Sequence, residues 1–97
     1  MLDLRVDVDF PGNDLLHICS PDELHCQCAC SQHDSCQFFT FIRPDWTQDN
    51  RKFYCYLKRT DSGTPPTVTN KKGVTSGYSL KNFNKTGERV HWQPTDV

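Results

Sequence analysis

The sequence has no long apolar run. None approaches the roughly 18 residues that a membrane-spanning helix needs, and Met1 is not followed by the basic and then apolar segment of a secretory signal, so a secreted form would have lost that signal. Hydrophobic residues make up 35% of the 97 residues, and the mean hydropathy is −0.70. The net charge is −1, which lacks the basic excess typical of binding to nucleic acid or to a membrane surface. The sequence therefore predicts neither kind of partner.

Recognisable catalytic motifs are also missing. There is no Gly-x-Ser-x-Gly elbow, no flanked catalytic cysteine and no glycine-rich phosphate loop, since the five glycines are scattered. The four histidines are interpreted as surface or capping groups; they are His17, His25, His33 and His91. The sequence therefore predicts no catalytic residue, no enzyme activity of its own and no cofactor.

Six cysteines are present, and in so short a chain they predict a disulfide framework made in an oxidising, extracellular compartment. Zinc binding is the alternative, but Cys26 and Cys28 diverge by roughly 200° on a helix and cannot hold one ion. Disulfides fit better. Cys30 can meet Cys36 across a short turn, and Cys26, on the same helix face as Cys30, can meet Cys55 if that face lies on a sheet. No metal site is expected.

Periodicity predicts one helix among several short strands, which is an α+β fold. Residues 2–10 alternate apolar and charged side chains, as in a strand with one buried face. Ser20, Pro21 and Glu23 form a capping-box signal for a helix that begins at Pro21 and ends near Gln32. The other β-rich segments are 15–18, 37–42, 53–58 and 74–80. Residues 84–97 lack periodicity and are interpreted as a tail or linker.

An ordered series of motifs resembles the apple (PAN) domain family, most of all the repeats of kallikrein- and factor XI-type zymogens and of kallikrein-like lectins. The motifs are Val8-Asp9-Phe10-Pro11-Gly12-Asn13-Asp14, Cys26-Gln27, Cys30, His33-x-x-Cys36, Phe39-Thr40-Phe41, Phe53-x-Cys55-Tyr56-Leu57-Lys58 and Gly73-Val74-x-Ser76-Gly77-Tyr78-Ser79-Leu80-Lys81. The resemblance implies a domain over residues 1–83, with one helix on a curved antiparallel sheet. It also implies the bridges Cys26–Cys55 and Cys30–Cys36.

Two departures from the family pattern concern cysteines. Phe83 stands where a closing cysteine is expected and no cysteine precedes Leu2, so the bridge that usually joins the first and last strands is missing. Cys19 and Cys28 are extra, and with a helix from Pro21 their Cα atoms would lie roughly 12 Å apart, beyond the reach of a disulfide. Three alternatives stay open: a later helix start, free thiols, or bonds to another chain. The last would give a disulfide-linked homo-oligomer, and a non-covalent one is also an expectation.

The resemblance implies a secreted binding module. The first hypothesis is protein–protein interaction, and the alternative is carbohydrate binding, as a lectin or as a heparin or glycosaminoglycan binder. The partner is thus expected to be a protein or a glycan. Asn84 begins an Asn-Lys-Thr glycosylation sequon.

The helix is expected to cover one face of the sheet, which would bury Phe53, Cys55 and Leu57 and turn their alternates to the other face. Aromatic and cationic side chains near those alternates are the ligand-binding candidates. They are Trp46, Tyr54, Tyr56, Lys58, Arg59, Lys71 and Lys72. An alanine substitution at Trp46, Tyr54 and Lys58 together is expected to leave the fold intact and to weaken binding.

Overall fold

The computed structural model describes residues 3–81, and this part of the chain has one helix and five strands. In chain order the elements are β1 (Arg5–Asp9), β2 (Asp14–Cys19), α1 (Glu23–Gln32), β3 (Phe38–Ile42), β4 (Tyr54–Lys58) and β5 (Thr69–Tyr78). The strands form one antiparallel sheet in the order β1-β5-β3-β4-β2, and α1 packs across its centre. The predicted α+β class is therefore confirmed.

No helix in residues 3–81 is long and apolar enough to cross a membrane. The predictions for Leu2, Phe83, Asn84 and residues 84–97 lie outside the described residues.

The central strand β3 is buried on both faces, because every residue from Phe38 to Ile42 is covered. Phe39 and Phe41 pack on the helix side, in one cluster with Cys26 and Cys30 of α1 and with Leu57. Ile42 belongs to a second cluster on the opposite face. The sheet thus has two cores, and the second of them is not covered by the helix.

Two disulfides join the helix to the sheet side of the molecule. Cys26–Cys55 ties α1 to β4 with a Cα–Cα distance of 5.5 Å, and Cys30–Cys36 ties the end of α1 to the segment before β3 at 5.1 Å. All four cysteines are buried. Both pairs are the expected ones, and they fasten the helix face that carries residues 26 and 30 onto the sheet.

The helix begins later than its capping signal predicts. Its N-cap is Asp22, whose carboxylate accepts a hydrogen bond from the backbone N–H of His25 at 2.8 Å. Ser20 is instead buried and donates its own N–H to the backbone oxygen of Phe53 at 2.9 Å. Aspartate caps as well as serine, so the bond to Phe53 decides between them. Despite the later start, Cys19 and Cys28 are free, exposed thiols.

The alternation predicted for residues 2–10 is interrupted. The pairing of β1 with β5 shifts between Val6 and Val8, where Asp7 has a φ of 61°. Val6 is therefore 62% exposed rather than buried. The side chain of Asp7 stays 44% exposed, and its carboxylate accepts hydrogen bonds from the Arg43 guanidinium at 2.6 Å and the Gly73 N–H at 3.0 Å. The alternation breaks because there is a β-bulge at Asp7, which the hydrogen bond to Arg43 holds in place.

The expectation that Phe53 is a core residue is wrong. Phe53 precedes β4, is 40% exposed and has a left-handed φ of 73°. Its backbone joins two segments, because the N–H donates to Ile42 O at 2.7 Å and the carbonyl accepts from Ser20. Cys55 and Leu57 do face the helix, as predicted.

Candidate ligand-binding site

The sheet face opposite α1 carries a pocket with a volume of about 190 Å³. Its floor is formed by β3, β4 and β5, including Thr40, Tyr56 and Val74. One wall is the turn between β1 and β2, and the other is the loop after β3, which supplies Trp46 and Arg51. The pocket therefore opens on the half of the sheet that the helix leaves free.

Trp46 is a wall of this pocket and not an outward platform. It is only 2% exposed and packs in the second core with Ile42 and Val74. Gly73 makes the close packing possible, because a Cβ at that position would lie 3.0–3.1 Å from Trp46 atoms. The indole N–H donates to the Asp49 carboxylate at 2.7 Å. Trp46 is therefore a covered residue, because apolar neighbours from β3 and β5 pack against it.

Asp49 holds the loop in place through several hydrogen bonds. Besides the Trp46 indole, its carboxylate accepts from the Arg51 backbone N–H at 3.0 Å and from Arg51 Nε at 3.0–3.1 Å. The same guanidinium donates to the Tyr56 hydroxyl at 3.2 Å and lies over the Trp46 ring. The arginine, followed by the indole N–H, lowers the pKa of Asp49 from 3.8 to about 2, and the carboxylate and then the Tyr56 hydroxyl raise the pKa of Arg51.

The lowered pKa of Asp49 predicts an acid transition of the loop. A depressed carboxylate pKa stabilises the fold above the unfolded-state value, and that stabilisation is lost as the pH falls through the folded-state value. We therefore expect the NMR signal of the Trp46 indole N–H to titrate with a midpoint near pH 2 rather than 3.8. Asp49→Asn is the control and should abolish the transition. A midpoint near 3.8 in the wild type would contradict the hydrogen-bonding scheme.

Lys58 is a buried cation on the sheet face opposite the helix. It is 3% exposed, and its ammonium donates to the Gly12 carbonyl at 3.0 Å and to the Asp14 carboxylate at 2.5 Å. These bonds hold the turn in which Gly12 and Asn13 both have left-handed φ values, 75° and 64°. A buried ammonium needs such partners. Lys58 therefore positions one wall of the pocket and also lines it.

Lys71 is the other lysine of the pocket, and its ammonium lies 5.7 Å from the centroid of the Trp46 ring. Within residues 3–81 it has no ion pair. Lys72, the next residue, is exposed and outside the pocket. The pKa of Asp7 on β1 is lowered mainly by its hydrogen bonds from Arg43 and the Gly73 N–H, and the charge of Lys72 adds to this. Arg59 is likewise exposed outside the pocket.

Tyr54 lies beside the pocket rather than in it. Its ring stacks on His17 of β2 with centroids 4.7 Å apart, and Tyr56 lies 6.0 Å from Tyr54. Of the seven predicted ligand-binding candidates, the structure thus brings four together in the pocket; these are Trp46, Tyr56, Lys58 and Lys71. Sequence reasoning missed Arg51, Asp9 and Asp14. The two aspartates flank the segment Phe10-Pro11-Gly12-Asn13, whose turn signal is visible in the sequence although its place beside the pocket is not.

Comparison with known proteins places this fold. A family model described as the PAN domain matches residues 6–83. The chain belongs to the PAN domain family. Coagulation factor XI of Bos taurus is 36% identical to this PAN domain over 64 residues, which are 66% of this chain and 10% of factor XI. The solution structure of the two N-terminal apple domains of Toxoplasma gondii microneme protein 4 matches with a TM-score of 0.56 and 25% identity, over 76% of this chain and 42% of that one. The predicted family is thus confirmed.

Proposed function

We propose that this PAN domain is a secreted, non-catalytic module that binds a protein partner through the pocket on its open sheet face. The pocket itself is the observation that carries the proposal. It combines an indole, a tyrosine and three cationic side chains on a rigid sheet. Aromatic residues and arginine dominate the binding energy of protein interfaces, mostly from central pockets. The pocket contains residues of these types, namely Trp46, Tyr56 and Arg51.

Pre-organisation supports the proposal. The chain of contacts Trp46–Asp49–Arg51–Tyr56 fixes the loop wall, and Lys58 fixes the turn wall. Side chains already held in one conformation lose little entropy when a partner binds. The two walls are therefore suited to recognition rather than to movement.

An extracellular location is supported by the two buried disulfides, since such bonds form and persist in oxidising compartments. The similarity to a coagulation factor and to a microneme protein is in keeping with it. Only about a tenth of factor XI is matched, so the function proposed is that of one module.

Carbohydrate binding is the second candidate. The observation that favours it is the mixture of groups around the pocket, where the carboxylates of Asp9 and Asp14 and the hydroxyls of Thr40 and Tyr56 stand among the cations. Hydrogen-bond donors and acceptors side by side suit a ring that carries many hydroxyl groups.

The test is capture of partners from plasma or mucus on the immobilised domain, with identification by mass spectrometry. A double variant with Tyr56→Ala and Lys71→Ala should lose at least one protein captured by the wild type, with affinity about tenfold weaker or more. Lys71 is exposed, and Tyr56 is half-buried against the edge of the second core and is not one of its buried residues, so the fold should survive.

The matched control replaces two exposed residues elsewhere, Leu24 and Lys52, by alanine. This control should capture the same proteins as the wild type. Equal capture by the pocket variant, together with loss in the control, would refute the site. An array of glycans, probed with the same proteins, tests the second candidate; saturable, Tyr56-dependent binding to a neutral sugar with no protein captured would favour it over the first.

A further inference from the structure

The charged side chains of the pocket are unequally neutralised. Lys58 is paired with Asp14, and Arg51 is paired with Asp49 just behind the wall. Lys71 and Asp9 also line the pocket, and within residues 3–81 neither forms an ion pair. The pocket therefore keeps one cation and one carboxylate for an external group.

The two lysines of the pocket keep hydrogen-bond donors that no residue among 3–81 uses. An ammonium has three N–H donors, and Lys58 uses two of them, on Gly12 and Asp14. Its side chain is only 4% exposed and its ammonium lies 5.4 Å from the centroid of the Tyr56 ring, beside the pocket that it lines, so the third donor has little access to water and no acceptor within residues 3–81. The exposed ammonium of Lys71 contacts the Trp46 ring and has no hydrogen bond within residues 3–81, so all three of its donors can reach a ligand. Among residues 3–81, Asp9 is the one acidic residue of the pocket lining that has no ion pair.

The size of the pocket restricts what can enter. Its volume of about 190 Å³ is below the roughly 300–1,000 Å³ of pockets that hold whole small-molecule ligands. One side chain of a larger partner fits better. Ile42, Val74 and Trp46 offer apolar contact for its methylene groups, and the lysines offer charge-assisted hydrogen bonds at its end.

We propose that this pocket anchors one carboxylate side chain, of glutamate or aspartate, from the protein partner. Lys71 and the free donor of Lys58 bind the carboxylate, and Asp9 weakens its binding by like-charge repulsion. The proposal rests on the protein-binding function proposed above and adds the chemistry of the group that is recognised.

The experiment titrates the isotope-labelled domain with the capped tripeptide Gly-Glu-Gly and, in parallel, with its uncharged analogue Gly-Gln-Gly. The reporter is the NMR signal of the Trp46 indole N–H. We expect saturable shifts with the glutamate peptide and affinity about tenfold weaker with the glutamine peptide, as for loss of one charge-assisted hydrogen bond.

Two substitutions then test the sign of the charge. Lys71→Gln should lower the affinity for the glutamate peptide about tenfold. The matched control Lys72→Gln, at the neighbouring position outside the pocket, should leave this affinity unchanged. Asp9→Asn should raise the affinity for the glutamate peptide about twofold, because a carboxylate that repels the ligand is removed. A neutral or cationic ligand would not gain from that change.

The proposal is overturned if no saturable shift occurs, if the glutamine peptide binds as well as the glutamate peptide, or if Lys71→Gln and Lys72→Gln behave alike. It is also overturned if Asp9→Asn weakens binding. In each case, partner capture that still depends on Tyr56 would leave the protein-binding function standing and refute only the anchor. Capture that does not depend on the pocket would refute both.

Discussion

Replacing Cys26 and Cys55 together by alanine is expected to lower the free energy of unfolding by about 3.6 kcal/mol. The two cysteines are 29 residues apart, and the chain-entropy model gives about that figure for a loop of this length. Small domains are stable by only about 5–15 kcal/mol, so the variant should lose a large part of its stability. The bridge also joins α1 to β4, and its loss frees the helix face that the core needs.

The matched control is the double alanine variant of Cys30 and Cys36, which lie only 6 residues apart. This variant should lose about 2.2 kcal/mol of unfolding free energy. Urea unfolding measures both. Cys19 and Cys28 should be serine in every protein compared, because free exposed thiols exchange with disulfides. Equal losses for the two bridges would contradict the entropic origin of the difference.

Trp46→Ala is the second change with a large expected effect, a loss of about 3–5 kcal/mol of unfolding free energy. The side chain is buried between Ile42 and Val74, and its removal leaves a cavity in the second core. Trp46→Phe should cost less, about 1–2 kcal/mol, since it keeps an aromatic ring and loses the hydrogen bond to Asp49.

Leu24→Ala serves as the control for Trp46, because this helix residue is 50% exposed and should change stability by no more than about 0.5 kcal/mol. Denaturant unfolding of the three variants is the measurement. A Trp46→Ala protein as stable as Leu24→Ala would contradict the burial of the indole. The result also bears on binding tests: a combined alanine change at Trp46, Tyr54 and Lys58 removes two buried side chains, so it cannot separate loss of binding from loss of folding.

Patterns with a period of two predict the faces of β4 well. Cys55 and Leu57 point to the helix, while Tyr56 and Lys58 point to the pocket. The prediction works here because neighbouring strands cover β4 on both sides and its ladder has no bulge opposite β3. For an inner strand whose ladder to β3 is regular, local alternation is sufficient.

The same pattern fails in β1, since the bulge at Asp7 depends on an arginine 36 residues later in the chain. The burial of Trp46 escapes local prediction for a similar reason. This residue lies in a loop with no periodicity, and its burial depends on Gly73 and Val74 from β5. The helix start is the same kind of case, because Ser20 and Asp22 are equally good caps until β4 is in place. Each error comes from a contact between residues distant in sequence, which local propensity cannot contain.

The pairing of β1 with β5 has a mechanical consequence. The strands are antiparallel and Arg5 lies opposite Ser76, so the chain enters the sheet and leaves it at the same end of one ladder. Tension applied through Asp3 and Lys81 would therefore open that ladder one hydrogen bond at a time, like a zipper, instead of shearing all its bonds together. Neither disulfide crosses this ladder, because both join α1 to β4 or to the segment before β3. The ladder would thus open first at Arg5 and last at Asp9, so this pocket-lining residue of β1 would keep its place until the end of the opening.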